Sequence, residues 1–334
     1  MKVLAAVDKF RGTATAAQVA TAIGHACWEL GYDCIERPLA DGGEGTLDAL
    51  GGANRTTLVT GPLGDPVNAQ WRLHRGTAII EMAFASGLLL AGGHEKNDAV
   101  AASTTGTGEI IDAALDLGAT RIIVCLGGSA TTDGGLGAVR AIQTPARLKG
   151  VEFVVACDVT TKFTDAAKLF GPQKGASPAQ VQFLTTRLER LVQMYHDNYG
   201  VDVSKLAGAG AAGGLAGGLA ALGAKLVPGF DLVAEEVLLD DLLIDVDYII
   251  TGEGFMDSES FAGKVVGSMA ELAREQKISI AAICGDIHED VIGRINAVSL
   301  VKLFGREDAM QRPLHCVEQA AIQLLRNAKE ASVR

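Results

Sequence analysis

Val3-Leu4-Ala5-Ala6-Val7-Asp8-Lys9-Phe10-Arg11-Gly12 opens the chain and decides how the rest is read. Its first five residues form a compact apolar run, rich enough in β-branched side chains to read as a buried strand. An acid, two cations and a glycine then leave that strand together. Val19, Ile23, Cys27 and Leu30 follow at helical spacing, in a helix that starts near Thr13 or Thr15 and ends near Gly31. A second strand at Cys34–Leu39 completes a β–α–β unit, the usual beginning of a parallel sheet.

Residues 57–82 have another character. Thr57–Thr60, Val67–Leu73 and Thr77–Met82 are short strand candidates, separated by Gly61-Pro62-Leu63-Gly64-Asp65-Pro66 and by His74-Arg75-Gly76. Turn chemistry at that spacing predicts antiparallel hairpins. From Thr105 the helical period returns, stops at Gly118, and gives way to strands at Arg121–Leu126 and Val151–Cys157. Ser177-Pro178-Ala179-Gln180 carries the signature of a capped helix start. Gly208–Leu226 reads as a closely packed helix of small residues. Tyr248–Ile250, Ile278–Ile283 and Ala297–Leu303 read as closing strands, and Cys316–Leu325 as a final helix. The fold class is α/β, with a mostly parallel sheet domain and a second α/β domain of mixed sheet that bears the hairpins.

The chain has 334 residues, room for about two domains. A hydrophobic content of 48% with 21% charge is that of an ordinary globular protein. The net charge of −11 argues against nucleic acid or an anionic membrane as partner. It leaves a small anion acceptable wherever lysines or a divalent cation offset the charge locally. The six cysteines show no C-x-x-C pair and read as free thiols of a reducing cytoplasm. No window reaches the roughly 18 uninterrupted apolar residues of a membrane span. The first apolar run is too short for a signal peptide. A homodimer is expected only as the commonest state of soluble enzymes.

Three islands combine glycine with acid: Asp41-Gly42-Gly43-Glu44-Gly45-Thr46, Gly127-Gly128-Ser129-Ala130-Thr131-Thr132-Asp133-Gly134-Gly135, and Thr251-Gly252-Glu253-Gly254-Phe255-Met256-Asp257. Each reads as lying just past an apolar run, and in open α/β sheets ligands bind outside the carboxyl ends of the strands. Glycine lets backbone approach a ligand closely, exposed N–H groups cradle anions, and carboxylates hold Mg²⁺. Together with Asp8, Asp158 and Asp286 they predict a single acidic cleft for a metal-bound polyphosphate. Phe170-Gly171-Pro172-Gln173-Lys174-Gly175 is a further loop with a lysine. Gly208–Gly213 satisfies G-x-G-x-x-G, the dinucleotide fingerprint, but no convincing strand precedes it. A Walker A is missing, since Ser258 stands where its first glycine belongs and Val265 follows Lys264. The six histidines show no zinc spacing.

Eight motifs in order resemble the bacterial glycerate kinases of the first type. They are Asp8–Gly12, Ala40–Thr46, Thr60–Gly64, Thr105–Glu109, Gly127–Gly135, Phe170–Gly175, Gly208–Gly214, and Thr251–Asp257 with Gly263-Lys264. The resemblance implies ATP-dependent, Mg²⁺-requiring phosphorylation of D-glycerate, usually to 2-phosphoglycerate. It also implies two α/β domains, one Rossmann-like and one inserted, with a cleft between them for the active site. On that basis 1–60 and 245–334 are expected to form the Rossmann-like domain and 61–244 the insertion. Three departures stand out: Arg11 replaces a frequent lysine, Thr132 replaces a typical asparagine, and Ala141–Val151 is shorter by a few tens of residues.

The expected roles follow phosphoryl-transfer chemistry, which needs positioning and charge neutralisation above all. Gly127, Gly128, Ser129, Ala130, Thr131, Thr132 and Gly134 are expected at the ATP phosphates. Asp133, Glu253 and Asp257 are expected at Mg²⁺. Asp8 or Asp41 would orient or deprotonate the hydroxyl, and Lys9, Arg11 or Lys264 would meet the glycerate carboxylate or the moving phosphoryl group. The competing readings are a catalytically silent nucleotide or metabolite binder and a nicotinamide-dependent oxidoreductase. The latter requires a strand immediately before Gly208.

Overall fold

The computed structural model describes residues 1–332. Its strands are β1 (Lys2–Val7), β2 (Asp33–Pro38), β3 (Arg55–Thr60), β4 (Pro66–His74), β5 (Thr77–Glu81), β6 (Arg121–Cys125), β7 (Glu152–Ala156), β8 (Lys225–Val227), β9 (Tyr248–Met256), β10 (Ser279–Ile287) and β11 (Ala297–Ser299). The chain divides into two compact units. The first holds Met1–Asp41, Asp48–Leu50 and everything from Gly229 onward; the second holds Gly42–Leu47 and Gly51–Pro228.

The first unit carries a wholly parallel sheet in the order β2-β1-β9-β10-β11. Alternate residues of β1 explain why it reads as a continuous apolar run. Val3, Ala5 and Val7 pack with Val19, Ile23 and the last helix, while Leu4 and Ala6 pack with Met269 and Ala273 on the other side. A strand covered on both faces needs no polar alternation. The first helix, Ala16–Glu29, starts at the Thr15–Gln18 capping box. Strand order reverses between β1 and β9, the switch point where doubly wound sheets bind ligands.

The third island is not a loop. Strand β9 runs on through Met256, and β10 through Ile287 rather than stopping at Ile283. A Cβ at Gly252 would strike the Ile283 carbonyl, and one at Gly285 the Gly254 carbonyl. These glycines therefore let strands approach, rather than opening the backbone to a ligand. Ala297–Leu303 is likewise only partly a strand, because Ser299 caps a short helix at Leu300–Phe304.

The second unit has a six-stranded mixed sheet, β3-β4-β5-β6-β7-β8. The two hairpins are antiparallel and the remaining pairs parallel. Strand β3 pairs with β4, so residues 55–60 lie in the second unit, and 229–244 lie in the first. Both domain edges thus differ from the expected 60 and 245. The expected helix over Gly208–Leu226 is a turn, a helix ending at Ala221, and the short strand β8. Ala212, Gly213 and Gly214 all have positive φ at its start. The long helix Pro178–Tyr199 begins at the Ser177–Gln180 capping box, as its sequence predicts.

Candidate active site

In the first unit, Asp8 leaves the end of β1 with its N–H donating to the Gly252 carbonyl at 2.9 Å. Its carboxylate is buried, accepts the Lys9 N–H at 2.6 Å, and lies 3.8 Å from the Lys9 ammonium. Burial pushes its pKa up to about 6; Lys9 opposes the shift and the negative Asp41 adds to it. Glu253, on the adjacent strand β9, is pushed to about 7 by burial, opposed by a Ser260 hydrogen bond and reinforced by Asp8. Its Oε1 is buried with no hydrogen-bond partner. Two desolvated acids at a switch point, one with an orphaned oxygen, make a receptive place for a cation.

Asp257 caps the short turn Ser258–Phe261, using Oδ1 to accept the Glu259 and Ser260 N–H groups. Lys264 lies 3.5 Å from Glu259 and acts on both Asp8 and Glu253 through its charge. The unit therefore brings Asp8, Lys9, Asp41, Glu253, Asp257 and Lys264 within electrostatic reach of one another. Arg11 is exposed and has no ion pair among the described residues. Among those residues no three His, Cys, Asp or Glu side chains gather as a ready metal cage. Mg²⁺ does not need one: it is usually held by one or two carboxylates, with waters and substrate phosphates completing the shell.

In the second unit the first two islands meet. A Cβ at Gly127 would come within 2.8 Å of the Glu44 nitrogen, and one at Gly128 would strike the Glu44 carboxylate. Gly128 is exposed and Gly127 half-buried, whereas Ser129 to Gly135 are buried. Of the residues expected at the ATP phosphates, only the Gly127–Gly128 end faces solvent. Ala130 donates its N–H to the Ser86 carbonyl, and Gly134 to the Gly213 carbonyl, each at 3.0 Å. The Thr131 and Thr132 hydroxyls are fully enclosed and lack hydrogen-bond partners.

Asp133, expected at the metal, is engaged within the fold. Its Oδ2 accepts from the Thr104 N–H (2.9 Å), the Thr104 hydroxyl (2.8 Å) and the Gly137 N–H (3.1 Å), and its Oδ1 accepts from the Gly135 N–H (3.1 Å). Those donors lie at the starts of the helices Thr105–Asp116 and Leu136–Ala141, where a carboxylate satisfies otherwise orphaned N–H groups. In this arrangement Asp133 staples the two helix starts together, within the second unit. Asp158 also lies in the second unit.

Lys174 is the residue the sequence roles left out. Its ammonium is buried and donates to the Ser129 hydroxyl at 2.8 Å and the Thr131 carbonyl at 2.7 Å. Burial lowers its pKa to about 7, with Asp133 opposing the shift. Asn97 links the Ala130 and Lys174 carbonyls at 3.0 and 2.9 Å. The Gly171–Gly175 loop gave the signal, but nothing in the residue pattern shows that its lysine points inward. The element before Gly208 is a 3₁₀ turn, Val203–Lys205, so the oxidoreductase reading lacks the strand it requires.

A parallel switch-point sheet, a glycine turn and a carboxylate–lysine cluster are the parts of an α/β phosphotransferase. Comparison with known proteins gives the family: the chain belongs to the glycerate kinase family, whose model matches residues 3–145 and 142–333. It is similar to glycerate 2-kinase of Escherichia coli, with 39% identity over 331 residues and 87% of each chain covered. It is similar also to glycerate kinase of Halalkalibacterium halodurans, 37% identical over 365 residues with 96% of each covered. The crystal structure of putative glycerate kinase 2 from Salmonella typhimurium superposes with a TM-score of 0.84 at 35% identity, covering 99% of both chains. The alignment to the Halalkalibacterium protein is longer than this chain of 334 residues, so that relative carries inserted sequence. The two pieces of the family match meet at 142–145, inside the stretch expected to be short.

Proposed function

We propose that the protein transfers the terminal phosphoryl group of ATP to D-glycerate, giving 2-phosphoglycerate, in the cytoplasm. The observation that carries this reading is the Asp8–Glu253 pair at the β1/β9 switch point, with its orphaned Glu253 oxygen. Family membership supports the same chemistry. Glu253 and Asp257 fit Mg²⁺, which would supply charge neutralisation on the phosphates.

Asp8 is assigned to the glycerate hydroxyl. With its pKa near 6 it is ionised at neutral pH yet more basic than an ordinary carboxylate, which suits a proton acceptor. Asp41 adds negative charge that keeps it so. Lys9, Lys264 and the exposed Arg11 are the cations assigned to the glycerate carboxylate and the moving phosphoryl oxygens. Gly127, Gly128 and Ser129 take the ATP phosphates, with Ala130–Gly134 as their packed support. The free cysteines agree with a reducing compartment. No helix among the described residues is long and apolar enough to cross a membrane.

An ADP-release assay with ATP, Mg²⁺ and D-glycerate tests the reading, with glycolate and tartronate as comparison acceptors. Release that depends on D-glycerate, with a product whose phosphorus resonance belongs to the 2-phosphate, is the expected result. Absence of acceptor-dependent release from folded protein overturns it.

A further inference from the structure

Lys174 sits beneath the glycine turn and never reaches its surface. An ammonium has three donors and no acceptor. In its 2.8 Å contact with Lys174, the Ser129 hydroxyl is therefore the acceptor whenever Lys174 is protonated. A hydroxyl has one hydrogen, and this arrangement leaves that hydrogen for another partner. No hydrogen bond from that hydroxyl to an acceptor is present among the described residues. The other Lys174 contact, to the Thr131 carbonyl at 2.7 Å, fixes the chain two residues further on. Asn97 grips the carbonyl between them, Ala130, while Arg187 donates to the Thr132 carbonyl at 3.4 Å. In its protonated form Lys174 thus holds the serine as an acceptor, on a segment clamped from behind.

We propose that Lys174 is a positioning residue that fixes the Ser129 hydroxyl as a donor to an ATP phosphate oxygen. The proposal rests on the assignment of Gly127–Ser129 to the ATP phosphates. A buried ammonium is an expensive way to hold a loop, because removing a charge from water opposes folding. A lysine kept only for packing would be replaced by methionine with loss of structure and no selective effect on one substrate. A lysine that acts through Ser129 makes a different set of demands.

The test is a double-mutant cycle on Lys174→Met and Ser129→Ala, read by equilibrium binding of the β,γ-methylene analogue of ATP with Mg²⁺, by the KM for D-glycerate, and by melting temperature. Each single variant is expected to weaken analogue binding by about ten- to a hundredfold, the range for a hydrogen bond to a charged group. The double variant is expected to be no weaker than the weaker single, since both remove the same interaction. The glycerate KM stays within the wild-type range, and Lys174→Met melts no lower than wild type. Lys174→Arg, which restores a cationic donor, is expected to recover part of the affinity.

Additive losses, unchanged analogue affinity in Ser129→Ala, or a Lys174→Met protein that loses stability and both substrates together would overturn the proposal while leaving the kinase reading intact. Wild-type protein that phosphorylates D-glycerate but owes none of its nucleotide affinity to Gly127–Ser129 would overturn it as well. Failure of wild-type protein to bind the analogue at all would remove the assignment beneath it.

Discussion

The two units manage buried charge in opposite ways. In the first, acids crowd together: Asp8 and Glu253 are both pushed toward their protonated forms, and Glu253 keeps an oxygen without a partner. In the second, Asp133 is satisfied by four donors, and one ammonium is sealed under a turn made of backbone and hydroxyls. Under the proposed function the first arrangement takes a divalent cation, and the second, with an ammonium already enclosed, takes an anion. A sequence count of acids and lysines treats the two alike; burial and hydrogen bonding separate them.

The sharpest way to break this contrast is Asp8→Asn. Loss of the proton acceptor is expected to lower kcat by about 10²- to 10⁴-fold, while the melting temperature holds or rises because a buried acid pair is relieved. A kcat near wild type in steady-state kinetics would place the acceptor elsewhere, with Asp41 next in line. Glu253→Gln should next raise the Mg²⁺ concentration for half-maximal activity by roughly one to two orders of magnitude. The same requirement should climb in wild type as pH falls below about 7, where protons compete for the raised Glu253 carboxylate. A Mg²⁺ titration at pH 6 and pH 8 reads both.

Stability against pH sharpens the comparison further, because the two units carry slopes of opposite sign. Asp8 and Glu253 bind protons more tightly folded than unfolded, so stability falls as pH rises from near 4 through about 6 and 7. Lys174 is the reverse: between about 7 and its ordinary 10.5 the unfolded chain binds more protons. Stability therefore gains as pH rises across that window, and Lys174→Met flattens the gain. Urea melts at pH 5, 7 and 9 would show it, and an unchanged alkaline slope in the variant would contradict the buried charge.

Smaller effects test the scaffold. Gly134→Ala puts a methyl group on a residue at φ 67°, against Leu191 and Phe163, and is expected to destabilise by about 2 to 4 kcal/mol. Ser177→Ala removes a cap far from either cluster and should cost about 1 kcal/mol with kcat untouched, as denaturant melts and kinetics can show.

Much of the architecture was legible because local rules agreed with global ones. The β1–helix–β2 opening, the hairpins and both capping boxes are short-range signals, and each lies within a few residues of its expected place. The failures share a cause. Thr251–Met256 reads as a loop because glycine and acid interrupt the apolar run, yet neighbouring strands supply the pairing that its own residues do not advertise. Gly208–Leu226 reads as one helix because small residues favour it, yet Ala212, Gly213 and Gly214 take positive φ where the chain packs closely on Thr131 and Gly134. Among the site residues, Asp8 could be singled out as an acid at a strand end, and Glu253 as one just past the apolar run Tyr248–Ile250. The staple made by Asp133 and the inward turn of Lys174 depend on partners 29 and 45 residues away in the chain.

The contact of Gly134 and Gly135 with Gly214 and Gly218 leaves no room for a side chain on that flank of the turn. Inheritance can edit the segment from one side only. Under the proposed assignment, any change in nucleotide preference within this unit falls to Glu44, because a side chain at Gly127 would meet the Glu44 backbone and one at Gly128, at φ 60°, its carboxylate, while the opposite flank stays frozen. A directed-evolution library aimed at the donor nucleotide can therefore be small: randomising the glycines would yield mostly misfolded chains, and randomising Glu44 would sample what the turn is free to become.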